Sequence, residues 1–219
     1  DISLSGGQLS SFTATSSTIY TAIFKPSSAG ETTIDVATNA FTDGAGNNNI
    51  ASSQFNWSYD NIAPTISISA ENSNGSVVND GAVTNNDSLL ITFTLSEAAS
   101  NFTSSDISLS GGQLSSFTAT SSTIYTAIFK PSSAGETTID VATNAFTDGA
   151  GNNNIASSQF NWSYDNVAPT ISISAKNSNG SVVNDGEVTN NDSLLITFTL
   201  SEAASNFTSS DISLSGGQL

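Results

Sequence analysis

Four oxygen-bearing side chains stand where a divalent cation would suit them: Asp60, Asn61, Glu97 and Asp148. Asp60 and Asn61 precede a run of short apolar segments that read as β-strands. Glu97 follows the second of those strands, and Asp148 opens the Gly-rich stretch Thr147–Asn152 before the last. In a β-sandwich the chain enters at one pole, and the second-to-third and sixth-to-seventh connections return to that pole. Three carboxylates and an amide would then share one corner and repel each other unless a cation lay between them. Ca²⁺ takes six to eight hard oxygen ligands in flexible geometry. Carbonyls of Gly149 or Asn152 would complete the shell, and the loop Ser27–Glu31 of a preceding copy would face the same joint. The Asp148 loop is not an EF-hand, because it lacks the acidic third position and the sixth-position Gly. A purely structural reading stands beside this one: Asp148 starts an Asx-turn, Glu97 is solvated, and Asp60 caps the linker.

These positions recur because the chain repeats itself. DISLSGGQL begins at Asp1, Asp106 and Asp211, a period of 105 residues. Residues 1–105 and 106–210 differ only at Ile62/Val167, Glu71/Lys176 and Ala82/Glu187. Asp43, Asp165, Asn166 and Glu202 are therefore further candidate metal ligands, one repeat away from the first set. Glu71/Lys176 reverses sign, so that position is a solvated surface. The loop from Asn79-Asp80-Gly81 to Asn86-Asp87 is a weaker candidate, since Ala82/Glu187 shows that one position in it needs no fixed charge.

Composition narrows the class. Nineteen acidic residues face only Lys25, Lys130 and Lys176, with no Arg and a net charge of −16. Such a surface repels nucleic acid and anionic lipid, both of which require basic groups. No run is long enough to span a membrane. Cys, Met and His are absent; without disulfides, stability must come from a core or from bound ions. An enzyme is not expected, because no residue pair sits in a recognisable catalytic setting and identical copies add nothing to chemistry. They do add length and valency. The chain begins and ends in one motif, as a window on a longer protein would.

A repeat of about 100 residues can bury its own core. Tyr59–Thr65 and Tyr164–Thr170 read as links, because Pro64 and Pro169 cannot donate to a strand ladder and hold the preceding Ala extended. The expected division is residues 1–60 as the back part of one repeat, 61–165 as a complete repeat, and 166–219 as the front of the next. Seven strands are expected in the complete repeat: A Thr65–Ala70, B Ser88–Ser96, C Asp106–Ser110, D about Gln113–Thr120, E about Thr123–Lys130, F Thr137–Thr143 and G Ile155–Tyr164. Strand B carries the clearest alternation, with Leu89, Ile91, Phe93 and Leu95 on one face. Phe160, Trp162 and Tyr164 are expected to share a face of strand G. The fold class is all-β, a series of immunoglobulin-like sandwiches stacked end to end.

Certain motifs resemble the bacterial immunoglobulin-like repeats of very large surface adhesins, including extender regions of the repeats-in-toxin type. Thr147-Asp148-Gly149-Ala150-Gly151-Asn152 is similar to the family's T-D-x-A-G-N, and Asp60-Asn61-Ile62-Ala63-Pro64-Thr65 to its D-x-x-A-P-T linker. Leu95-Ser96-Glu97-Ala98 and Ser105-Asp106-Ile107 match its S-E and S-D-I elements. The resemblance implies head-to-tail stacking of identical repeats outside the cell, calcium at the joints, and ligand-binding and anchoring domains elsewhere. The expected function is a structural extender. The alternative is a repeated glycan- or surface-binding module acting by avidity, which requires an exposed aromatic or flat Thr face in every copy.

Overall fold

A computed structural model describes residues 1–216. The chain divides into two compact units, Asp1–Asp165 and Asn166–Leu219; the last three positions of the expected 166–219 segment lie outside the described residues. The first unit opens with β1 (Ile2–Ser5), β2 (Gly7–Ala14), β3 (Tyr20–Pro26), β4 (Gly30–Val36) and β5 (Phe55–Tyr59). It continues with β6 (Ile66–Glu71), β7 (Val77–Val78), β8 (Ala82–Thr84), β9 (Leu89–Leu95), β10 (Ile107–Ser110), β11 (Gly112–Ala119), β12 (Ile124–Pro131), β13 (Gly135–Val141) and β14 (Phe160–Tyr164). The second unit holds β15 (Ile171–Lys176), β16 (Val182–Val183) and β17 (Leu195–Leu200). The described residues contain strands and two short 3₁₀ turns, with no α-helix.

Residues 66–164 form both faces of a sandwich. One sheet runs β11-β12-β9-β6-β7 and the other β10-β13-β14-β8. The period-2 pattern of β9 buries Leu89, Ile91, Phe93 and Leu95. β12 buries Tyr125, Ala127 and Phe129, and β13 buries Thr137, Ile139 and Val141. These side chains meet Phe160 and Trp162 of β14, and the Trp162 ring stands edge-on to Phe129 with centroids 4.7 Å apart. Thr137 is tolerated inside because its hydroxyl donates to the Trp162 carbonyl at 2.8 Å, which pairs that buried hydroxyl.

The seven expected strands are present, with differences that have physical causes. The expected G strand begins five residues late, at Phe160: Asn154 and Ser157 bond back to β13 and its loop, which leaves residues 155–159 no ladder to join. Tyr164 is half-exposed, because β14 reaches the rim of the core there. The segment between the expected strands A and B, Glu71–Asp87, contains two short strands. β7 extends the β6 edge, while β8 crosses to the other sheet and pairs parallel with β14, Ala82 opposite Trp162 and Thr84 opposite Tyr164. Gly81 N–H to Asn161 O (2.8 Å) and Asp165 N–H to Thr84 O (2.9 Å) bracket that pair.

Glycine is required where the two sheets hand over between β10 and β11. Gly111 has φ +76°, and a Cβ on Gly112 would lie 2.4 Å from the Phe129 ring. The exposed edge strand β11 carries a bulge between Ser115 and Thr118, with Ser116 at φ +54°. Bulges of this kind discourage edge-to-edge pairing.

The flanking segments hold the same strands without their partners. Residues 1–60 form the sheets β1-β4-β5 and β2-β3, and residues 166–216 the sheet β16-β15-β17. Phe146, 1% exposed in the complete sandwich, corresponds to Phe41 at 61%; Ile66 at 7% corresponds to Ile171 at 50%.

Candidate metal centre

Three segments build the site, and hydrogen bonds fasten them to one another. The connection after β9 is strapped to the connection before β14: Ala99 bridges Asp148, Ser100 N–H donates to Thr147 O at 2.9 Å, and Thr147 N–H donates to Asn101 Oδ1 at 2.8 Å. The linker joins through Ile155 N–H to Pro64 O at 2.9 Å and Asn152 Nδ2 to Asp60 O at 3.3 Å. Behind these lies Asn154, 1% exposed. Its Oδ1 accepts from Ala145 and Phe146 N–H at 2.7 and 3.0 Å, and its Nδ2 donates to Ala142 and Ile155 carbonyls at 2.8 and 3.0 Å. Asn154 thus fixes the whole loop in place.

This scaffold brings Asp60, Glu97 and Asp148 together, each with a carboxylate oxygen within 4.8 Å of the others. Ca²⁺–oxygen distances are about 2.3–2.6 Å, so two ligands on opposite sides of one ion stand roughly 5 Å apart at most. The three oxygens therefore fit around a single calcium. Asp148 is buried at 3% exposed. Its Oδ1 accepts from Ala150, Gly151 and Asn152 N–H at 2.7–2.9 Å, and its Oδ2 accepts from Asn152 Nδ2 at 2.8 Å. The Asx-turn reading of Asp148 and the ligand reading are thus compatible: Oδ1 is occupied by the loop, while Oδ2 has a lone pair to spare. Asp60 Oδ1 accepts from Ile62 N–H at 3.0 Å, which leaves its second oxygen available.

The electrostatics pull the three groups apart. Burial, then the charges of Asp60 and Asp148, push the Glu97 carboxyl above its ordinary value. For Asp148 burial is the largest single influence and pushes upward. The Asn152 amide and three backbone N–H groups together outweigh it, so the acid is held below its ordinary value. These opposite shifts fix a pH signature. In chelator, ionised Glu97 destabilises the fold, so stability rises as pH falls through the raised Glu97 value and the gain is complete near 4.5. It then falls once Asp148 begins to protonate below 3.8. If Glu97 ligates calcium, the first limb should reverse in calcium, because protonating Glu97 would remove a ligand. Melting temperatures in both media across pH 3.5–7.5, roughly the span of these titrations, check this; parallel curves would refute it.

The remaining acidic candidates, Asp43, Asp165 and Glu202, are not gathered into such a group. Asn61 is exposed, and Glu31 of the Ser27–Glu31 loop is exposed and outside the trio. Asp43 makes the same loop as Asp148, with its Oδ1 accepting from Ala45 and Asn47 N–H. Glu202 and Asn166 are exposed, Asp165 is half-exposed, and the Asp60–Glu97–Asp148 trio is the only acidic group of its kind among the described residues. Trp162 is buried in the core and offers no sugar platform. Asn154 escaped the sequence reading; the only trace of it there is its place in the run Asn152–Asn154.

The profile of a bacterial Ig-like domain family matches residues 1–59 and again residues 60–164, and that of a second bacterial Ig-like family (group 3) matches residues 123–219. The chain belongs to the bacterial Ig-like domains. The two matches to the first family share one phase, the first ending at Tyr59 and the second beginning at Asp60, whereas the group 3 match runs across the end of the second. No curated protein matches the chain. Bacterial Ig-like domains are surface or extracellular repeat modules that are typically structural rather than enzymatic. No helix among the described residues is long and apolar enough to cross a membrane.

Proposed function

We propose that these Ig-like repeats are an extender segment of a large bacterial surface adhesin of the repeats-in-toxin type, with Asn61–Asp165 as one repeat and calcium stiffening each joint. The observation that carries this reading is the convergence of Asp60, from the linker, with Glu97 and Asp148, from two loops of the following sandwich. A cation held by these three would tie the linker to the body of the domain and convert repulsion into shared coordination. Bending at the joint would then require breaking a ligand bond. Near-identical copies would give a fibre whose length scales with copy number and whose acidic surface keeps neighbours apart. The neighbouring repeats are its direct partners, and distal domains outside this chain do the binding.

At roughly 3.3 Å per strand residue, plus loops and linker, each repeat adds about 35–45 Å. Small-angle scattering on the 219-residue chain tests the stiffening directly. The maximum dimension is expected to be longer in calcium than in chelator, and Glu97→Gln should show the chelated profile in both media. Identical profiles in calcium and chelator would remove calcium from the joint.

A further inference from the structure

We propose that Asn74, in the turn between β6 and β7, is a site of spontaneous deamidation through a succinimide, and that Asn72 sets its rate. Of the asparagines in the chain only Asn74 and its counterpart Asn179 are followed by glycine. Gly75 sits at φ +75°, so the turn itself calls for that glycine. Asn74 and Gly75 are exposed, and a Cβ on Gly75 would meet nothing within 4 Å. No side chain therefore shields the Gly75 nitrogen. In the reaction that nitrogen gives its proton to solvent base and attacks Asn74 Cγ. The Cγ–Nδ2 bond breaks and Nδ2 leaves as ammonia. Water then opens the ring at either carbonyl, giving aspartate by one route and isoaspartate by the other. Only water is consumed, and nothing is oxidised or reduced.

The two Asp-Gly steps of the complete sandwich are closed to the same chemistry. Asp80 Oδ1 accepts from Asn161 N–H at 2.7 Å, and Gly81 N–H donates to Asn161 O at 2.8 Å. The Asp148 carboxylate is taken up by its own loop. At Asn74 the turn is held through Asn72 instead. Asn72 Oδ1 accepts from the N–H groups of Asn74 and Ser76 at 3.0 and 2.9 Å. Asn72 O accepts from Gly75 N–H at 2.9 Å, and Asn72 N–H donates to Ser76 O at 2.9 Å. The attacking nitrogen is thus engaged, and the turn must open before the ring can close. Residues 177–181 repeat the same four bonds at 2.9–3.1 Å.

The two products differ in consequence. Isoaspartate inserts one more carbon into the main chain. β7 is paired to β6 only at Ala70–Val78 and Glu71–Val77, and it carries the buried Val78. A lengthened turn cannot keep that register, so β7 comes away from the sheet edge and Val78 leaves the core. Aspartate keeps the length and adds only a charge.

Ageing the 219-residue chain in warm, mildly alkaline buffer, followed by peptide mapping, tests this. Asn74 and Asn179 should convert ahead of every other asparagine, to a mixture of both acids, the isoaspartate being the one that an isoaspartyl methyltransferase labels. Asn72→Ala should speed conversion at Asn74 about fivefold or more, since each ordinary hydrogen bond lost from the closed turn is worth about 1 kcal/mol and roughly 1.4 kcal/mol is tenfold. Asn72→Asp, which keeps the accepting oxygen, should convert at or below the wild-type rate, and unfolding in urea should speed the wild type. The isoaspartate fraction should melt below the fresh chain. Conversion at Asn74 no faster than at the other asparagines overturns the site, as does aspartate without isoaspartate. An unchanged rate in both Asn72→Ala and urea overturns the control by Asn72.

Discussion

Adding a chelator to the 219-residue chain should lower its melting temperature by about 10–20 °C if calcium holds the joint. The size follows from mass action. A ligand that binds only the folded state, at about 100 times its dissociation constant, contributes roughly 2.7 kcal/mol, and each kcal/mol moves a domain of this size by about 4–8 °C. Asp60→Asn and Glu97→Gln should each remove most of the difference between calcium and chelator. They should leave the chelated melt unchanged or slightly raised, because one of three repelling charges is gone. Asp148→Asn behaves differently, since its oxygen also accepts the loop's N–H groups: it lowers the melt in both media. Magnesium at the same concentration should not substitute, because it demands a smaller, near-octahedral shell. Calorimetry that finds the calcium and chelator melts within about 1 °C of each other, on a scale set by ΔΔG near zero, rejects the site.

Asn154→Ala should destabilise the complete sandwich by about 3–5 kcal/mol, with or without calcium. The side chain satisfies four main-chain groups in a buried loop, and each polar group orphaned inside costs about 1–3 kcal/mol, less whatever water can reach. Asn154→Asp keeps the two accepting contacts and loses the two donated ones, so it should fall between wild type and Ala. Urea denaturation in chelator measures this without interference from the cation. A loss below about 1 kcal/mol, the net worth of a single ordinary hydrogen bond, would mean that the loop has another support.

Different parts of this structure were visible in the sequence to different degrees. The alternation in Leu89–Leu95 identified the central strand and its buried face, because period 2 survives any uncertainty about neighbours. Given seven strands, sandwich topology alone sent Asp60, Glu97 and Asp148 to one pole, and the coordinates place them there. What topology does not encode is the detailed bonding. Asn152, Asn153 and Asn154 are chemically identical, yet only Asn154 is turned inward with all four hydrogen-bonding positions used; Asn153 is exposed. β8 was missed because three residues carry no measurable period, and its pairing is settled by Trp162–Tyr164 some eighty positions away. Ile155 read as the start of a strand but is 54% exposed; its backbone N–H is committed to Pro64, so it belongs to the linker's anchorage instead.

The parallel pairing of β8 with β14 bears on how such a chain answers a pull. If a repeat is tethered at both ends, tension enters at β6, and once β6 has peeled from β9 it reaches β8, while at the other end it leaves through β14. In a parallel pair those two directions oppose each other along the strand axis, so Ala82–Thr84 and Trp162–Tyr164 are loaded in shear. The ladder bonds and the flanking Gly81–Asn161 and Asp165–Thr84 contacts must then give way together rather than one after another. An antiparallel pair gripped at its open end would unzip at much lower force. In a fibre of the proposed kind, Ala82–Thr84 would then act as a mechanical latch on each repeat.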